Sequence, residues 1–391
     1  MYKRVLRLNS ILERKSVFLF GPRQTGKSTW LKSTYKDGLY INLLSAKVYD
    51  DYLKNPNALA SDIQLFQRKN KSKIIIIDEV QKLPHLLDEV HAQIEENKDL
   101  RFILTGSSAR KLKRSGSNLL GGRASWKNLF PLVFPELKAE LKSNSDLAKR
   151  INIGGLPSIY TSTNPADDLS DYIGLYLNEE IKAEGLVRNH QAFHRFLTVA
   201  ALSNAKQINF TQVGSDAQIP PRTVHDYFQI LEDTLIGFML LPFTETTTRK
   251  AVASAKFYLF DTGLTNALLK RTSASVGTPE FGDLLEQYVI SEVRAFLSYS
   301  NSKFEMQYWR STSQMEVDLI LTSPSRKIAI EIKSKNEISN KDIKGLKAFC
   351  EDFPDTKKIV VTLDARRSIR PDGVEVYSVL DFLQDLWNGE I

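Results

Sequence analysis

The chain has 391 residues, 42% hydrophobic and 25% charged, with a formal net charge of +7, which suits a soluble globular protein of two to four domains. Its single cysteine, Cys350, excludes a disulfide framework or a zinc cluster within one chain. No apolar stretch approaches the ~18–20 residues that span a membrane, and the basic N-terminal segment lacks a signal peptide's apolar core. A cytoplasmic location is therefore expected, and the positive charge permits a nucleic-acid partner without demanding one.

The first predicted strand is the apolar run of residues 16–20. It leads into Gly21-Pro22-Arg23-Gln24-Thr25-Gly26-Lys27-Ser28, followed by Thr29 at the start of a helix. This fits G-x-x-x-x-G-K-[ST] with strand, loop and helix in order. The glycines let backbone N–H groups turn inward around phosphate oxygens, Lys27 reaches the β/γ-phosphates, and the Ser28 hydroxyl ligates Mg²⁺. The helix offers its positive end to the same anion. ATP and Mg²⁺ are the expected cofactors.

Residues 74–79 read IIIIDE. So apolar a run suits a central parallel strand, with Asp78 at the carboxyl end, where open α/β sheets place ligands. Asp78 is expected to hold Mg²⁺ through water, with a helix N-cap as its alternative role. Glu79 is the base or water-positioning group that phosphoryl transfer needs. A third strand, residues 101–108, ends in hydroxyls and a glycine, with Thr105 and Ser107 placed to orient the lytic water or sense the γ-phosphate, or else forming an ordinary turn. A basic helix (109–115), then Gly121-Gly122-Arg123 and a further strand from Ser125, complete an alternating α/β segment of residues 1–135.

This order of loop, acidic pair, polar strand and arginine resembles the AAA+ ATPases. The resemblance implies that Arg123 serves the nucleotide of a neighbouring subunit, with Arg110 and Arg114 as reserves, and hence a homo-oligomer. A surface ion pair is the alternative for Arg123.

Residues 136–190 read as a small helical lid containing the turn Gly154-Gly155-Leu156-Pro157. Residues 191–262 read as a winged helix: three helices, the third starting near Pro220-Pro221, then two strands joined by a wing at 244–250. DNA readers of this kind place the third helix in the major groove. Here that helix carries Arg222 and His225 but also Asp226, Glu232 and Asp233, a poor match for phosphate. Arg249 and Lys250 on the wing are better placed. Packing or a protein partner is the competing use.

The last segment, 263–391, orders as helix, three strands, helix, strand. Asp318 stands 13 positions before Glu331, Glu331-Ile332-Lys333 forms E-x-K, and Glu286 lies on the preceding helix. If strands 316–322 and 327–334 form a hairpin in which paired positions sum to 649, Asp318 faces Glu331 and Glu316 faces Lys333 on one side, since side chains alternate with period two. Val317/Ile332, Leu319/Ile330 and Leu321/Ile328 would share the other. Opposed carboxylates are destabilising, so Asp318, Glu331 and Glu286 are expected to hold Mg²⁺ or Mn²⁺, with Lys333 stabilising the attacking hydroxide or the phosphorane charge. An exposed face with scattered salt bridges, or a nuclease fold kept as a scaffold, are the alternatives. The pattern resembles the PD-(D/E)xK nuclease superfamily, although Val317 replaces the usual proline. With the P-loop, it also looks like a widespread prokaryotic AAA+ family carrying a C-terminal domain of unknown function.

The expected architecture is therefore α/β: a P-loop AAA+ core, a helical lid, a winged helix and a restriction-endonuclease-like domain. Two functions fit it. One is an oligomeric ATPase acting on DNA, with a nuclease-like domain that binds or cuts. The other is a nucleotide-controlled protein-interaction switch with an inactive nuclease-like scaffold.

Overall fold

The computed structural model describes residues 2–108, 110, 112, 120–177, 189–363 and 366–391. They fall into two compact units. The N-terminal unit is residues 3–130 with 233–235, and the C-terminal unit is residue 2 with 131–232 and 236–391. No described helix is long and apolar enough to cross a membrane.

The N-terminal unit is a five-stranded sheet with order β2-β3-β4-β1-β5. Its strands are β1 (Ser16–Phe20), β2 (Leu39–Asn42), β3 (Ile74–Asp78), β4 (Arg101–Gly106) and β5 (Ala124–Asn128), and every pairing is parallel. Helix α1 (Lys27–Thr34) follows β1, α2 (Ala46–Lys54) and α3 (Ala58–Lys69) lie between β2 and β3, and α4 (Leu86–Glu96) precedes β4. All five residues of β1 are buried, as a central strand covered on both faces requires. Because β4 lies between β1 and β3, the carboxyl ends of all three meet along one edge.

In the C-terminal unit, a helical segment from 131 contains α5 (Asn144–Ile153). Then come α6 (His190–Leu202), β6 (Lys206–Gln207), α7 (Phe210–Ala217), α8 (Pro221–Asp233), β7 (Gly237–Pro242), β8 (Lys256–Leu259) and α9 (Thr262–Leu268). The 22-residue α10 (Pro279–Ser300) leads into β9 (Glu305–Arg310), β10 (Glu316–Ser323) and β11 (Arg326–Lys333). The chain ends with α11 (Lys344–Cys350), β12 (Lys357–Thr362), β13 (Ser368–Ile369), β14 (Glu375–Ser378) and α12 (Val379–Asn388). One nine-stranded sheet, order β13-β14-β12-β11-β10-β9-β7-β8-β6, runs through all of it. The join is a short parallel pairing, Leu241 with Gln307 and Pro242 with Tyr308.

The segment expected as a lid supplies Leu137, Leu141, Leu147 and Ile151 to the same core as Phe281, Tyr288 and Val289 of α10. The Gly154-Gly155 turn explains itself here. Gly154 has φ 80°, and a Cβ there would lie 1.9 Å from a carboxylate oxygen of Asp261. That carboxylate accepts from Gly155 N at 2.7 Å and caps α9 through Gly263 N and Leu264 N.

The β10–β11 hairpin keeps the expected register from Leu319–Ile330 to Ser323–Arg326. Against β9, however, β10 slips by one residue between Val317 and Ile320, a bulge that re-aims side chains. Val317 accordingly packs with Ile320 and Ala329 in one core, and Leu319, Leu321, Ile330 and Ile332 in another. The expectation that Val317 shares a face with Leu319 is thus corrected, and both faces of this sheet are covered.

Candidate nucleotide site and a buried charged cluster

At the end of β1 the loop turns so tightly that a Cβ on Gly21 would lie 2.5 Å from Leu129 O. Gln24 (φ 63°) and Gly26 (φ 88°) take left-handed backbone, the second as the residue that opens α1. Buried Lys27 curls back, its ammonium donating to Gly21 O at 2.6 Å and Pro22 O at 3.1 Å. Its charge is thus held inside the curve of the loop, where a phosphate would supply stronger acceptors. Arg4, which the sequence did not single out, braces the loop by donating to Thr25 O at 2.6 Å and Phe130 O at 2.5 Å.

Asp78 is buried at the end of β3 and accepts hydrogen bonds from Thr105 Oγ1 of β4 and from the Tyr40 hydroxyl of β2. Burial, then the bond to Asp78, push the Tyr40 pKa above the usual phenol range, while Ser28 also acts on that hydroxyl, pulling its pKa downward. Ser28 and Asp78 thus both act on one phenol group, which places them near enough for one small ion to be shared. The residues fit Mg²⁺.

Glu79 sits on left-handed backbone, φ 63°, a conformation that costs about 1–3 kcal/mol for a non-glycine residue and persists where the surroundings impose it. Its N–H donates to Thr105 Oγ1 at 3.2 Å. Its carboxylate accepts from Gln81 Nε2 at 2.6 Å, and the same amide reaches Ser107 Oγ at 3.3 Å. Gln81 also escaped the sequence reading. The available signal was Gly106, since a Cβ there would lie 2.4 Å from Gln81 Oε1. Thr105 and Ser107 thus stand beside Asp78 and Glu79.

Arg123 lies at the other end of the sheet. Its carbonyl accepts from Ser16 N at the start of β1, and β1 is five residues long, which separates it from the loop by ~16 Å at ~3.3 Å per residue. Its guanidinium pairs with Glu95, beside a cavity of about 300 Å³ that Arg14, Lys15, Lys98 and Arg101 also line. Arg110 pairs with Asp233 at 2.7 Å. Arg114 lies outside the described residues.

In the C-terminal unit the expected residues do come together: Glu286 from α10, Glu316 and Asp318 from β10, Glu331 and Lys333 from β11. Lys333 pairs with Glu331 and lies 3.7 Å from Asp318, while Asp318 accepts from Ile332 N at 2.8 Å. A residue that the sequence did not flag sits among them. Lys256 of β8, its side chain only 3% exposed, places its ammonium 2.8 Å from Glu286, 2.6 Å from Glu316 and 3.9 Å from Asp318. Tyr258, two residues on, donates to the same Glu286 oxygen at 2.6 Å.

Burial pushes Glu286 up to about 7 against the pull of Lys256. It also raises Glu331, with Asp318 as the next cause. For Lys256, burial acts downward, but Glu286, Tyr258, Asp318 and Glu316 outweigh it and hold the ammonium charged. Among the described residues, no three of His, Cys, Asp and Glu are placed to hold a metal ion. The cluster as folded does not fit the divalent ion expected from sequence, because an ammonium stands between its carboxylates.

Residues 13–138 match the family described as AAA domain, and the parallel sheet and loop of the N-terminal unit are consistent with that match. Residues 144–275 and 281–382 match two domains of unknown function, DUF8612 and DUF4143. Uncharacterized proteins of Mycobacterium tuberculosis and Mycobacterium bovis are each 26% identical over 336 residues, covering 84% of this chain and 72% of theirs. Among solved structures, the replication initiator DnaA bound to AMPPCP and single-stranded DNA aligns with 57% of this chain and 86% of its own, at 13% identity and TM-score 0.29. A Vibrio cholerae protein, VC1899, aligns over 96% of both chains at 10% identity and TM-score 0.23.

Proposed function

We propose that the protein is an oligomeric, Mg²⁺-dependent ATPase acting on DNA, in which the C-terminal unit grips its substrate rather than cutting it. The observation that carries the ATPase reading is the meeting of Lys27, Asp78, Glu79, Thr105 and Ser107 along one sheet edge. Phosphoryl transfer asks a protein mainly for positioning and charge stabilisation. Residues 21–29 supply N–H donors and Lys27 to the phosphates. Ser28 and Asp78 would hold Mg²⁺, which would supply positive charge to the phosphates. Glu79, fixed by Gln81, orients water for attack on the γ-phosphorus and accepts its proton as the bond to the β–γ bridging oxygen breaks. ADP and phosphate leave.

Arg123 is too far from its own loop to assist there and pairs with Glu95; we assign it to a neighbour's nucleotide, which requires that pair to open. The test is turnover: Glu79→Gln should bind ATP and hydrolyse it at least ~100-fold more slowly. Normal turnover by that variant would remove Glu79 from its role.

We read α6, β6, α7, α8, β7 and β8 as a winged helix in 191–262, the segment 136–190 as helical, and 263–391 as a nuclease-like module. Exposed Lys250 on the wing is the phosphate contact we assign to the winged helix, ahead of Arg222 on the more acidic third helix. A second reading, a nucleotide-controlled protein-interaction switch, is favoured by one observation: the wing is tied down, with Arg249 paired to Glu351 at 2.8 Å and Thr247 and Thr248 bonded to Asp352. Turnover measured with linear, single-stranded and four-way-junction DNA separates the two. Stimulation supports the first reading, and indifference supports the switch.

A further inference from the structure

We infer that Lys256 is a built-in cation that takes the place of a divalent metal in the C-terminal unit, so that its acidic pocket is closed to Mg²⁺ and Mn²⁺. Four carboxylates meet there, Glu286, Glu316, Asp318 and Glu331, against three cations, Lys256, Lys333 and Arg310. The pocket is thus one formal charge short of neutral. Without Lys256 it would be two short, the deficit that a divalent ion fills.

The ammonium's contacts of 2.6 and 2.8 Å to Glu316 and Glu286 are ordinary N–H to carboxylate lengths. A magnesium ion would need oxygens at about 2.0–2.1 Å in the space the nitrogen occupies. The lysine is also enclosed, its side chain only 3% exposed. Its backbone lies within a ladder, opposite Gln207 on one side and Leu240 on the other, and its ammonium also lies 5.4 Å from the centre of the Tyr308 ring. Glu286 is occupied as well, since Lys256 and Tyr258 donate to the same oxygen. The residue types of a metal-dependent nuclease are present, and the fold has set a positive charge in their midst. This inference goes beyond the ATPase reading and does not depend on it.

The test uses the full chain in an Asp78→Asn background, which removes the N-terminal Mg²⁺ ligand, with Mn²⁺ alone as the probe. Calorimetric titration of that parent should show no Mn²⁺ binding that Asp318→Asn abolishes. Lys256→Ala should gain one site, at least about tenfold tighter than any in the parent, and Asp318→Asn should remove it again. Its melting temperature should rise on adding Mn²⁺. Mn²⁺ held by Asp318 in the parent, or a folded Lys256→Ala that gains no affinity, overturns the inference.

Should Lys256→Ala fail to fold, the pair Lys256→Met and Lys256→Met/Glu286→Gln carries the test. Removing one charge of each sign should recover the melting temperature lost in the single variant, and no recovery overturns the proposal. ATP turnover of the Lys256 variants with Asp78 intact reports separately on the nucleotide site.

Discussion

A single methyl group on Gly106 should disable hydrolysis without touching the nucleotide. In Gly106→Ala the new Cβ would lie 2.4 Å from Gln81 Oε1 and 3.1 Å from its amide carbon, with Phe20 at 3.3 Å behind. The glutamine has to move, and with it goes the 2.6 Å bond to the Glu79 carboxylate. A hydrogen bond to a charged group contributes about 1.5–3 kcal/mol. If that anchoring acts in the transition state, kcat should fall about 10- to 150-fold at 1.36 kcal/mol per decade. Nucleotide affinity should hold, since Lys27 and the loop follow β1 and the Lys27 ammonium bonds within the loop, to Gly21 O and Pro22 O. The assay is steady-state ATP turnover beside equilibrium binding of a labelled nucleotide. The route through Gln81 is checked by a double-mutant cycle: Gly106→Ala added to Gln81→Ala should cost little more. Full turnover by a folded Gly106→Ala, or two losses that simply multiply, would refute the idea that Gln81 positions Glu79.

Arg123→Ala should lower turnover at least ~10-fold with unchanged nucleotide affinity, and mixing it with Lys27→Ala subunits should recover activity; no recovery means the arginine does not serve a neighbour. Tyr40→Phe removes a hydroxyl that occupies Asp78, so half-maximal turnover should need less Mg²⁺, and a shift to higher Mg²⁺ would make that hydroxyl a support for the ion. Glu292 is buried and pushed up to about 7, burial being the main cause. It accepts from Phe134 N at 2.9 Å and Trp387 Nε1 at 2.9 Å. A raised carboxyl pKa means the folded state binds the extra proton, so its contribution to stability is lost as pH rises from about 4.5 to about 7. Denaturant titrations should therefore show Glu292→Gln flattening that dependence by up to about 1.4 kcal/mol per pH unit; an unchanged slope would assign the proton elsewhere.

The candidate nucleotide residues could be named from sequence because their chemistry is local. Residues 21–29 act through their own backbone, and Asp78-Glu79 follows directly on an apolar strand. What escaped depends on distant partners. Arg4 meets Thr25 and Phe130, and Tyr40 meets Asp78, contacts that no local pattern encodes.

Lys256 left a faint sign, a lysine opening the otherwise apolar and aromatic strand Lys256–Leu259, all four residues of which are buried. The hairpin register followed from Pro324-Ser325 and the alternation, yet the bulge near Asp318 depends on pairing with β9 and could not be seen. The two-residue parallel contact between β7 and β9 was equally hidden. Over so long a separation, nothing in either strand specifies the other.

That contact has a practical outcome. Cutting the gene at residue 262, where the sequence suggests a domain ends, would strip β9 of its neighbour and leave a raw strand margin of unpaired N–H and C=O groups. The same cut would discard Lys256 and leave Glu286, Glu316 and Asp318 facing one another with one fewer counter-charge. A fragment beginning at 263 should therefore clump or fail to fold, and one beginning near 131 should remain monodisperse in light scattering.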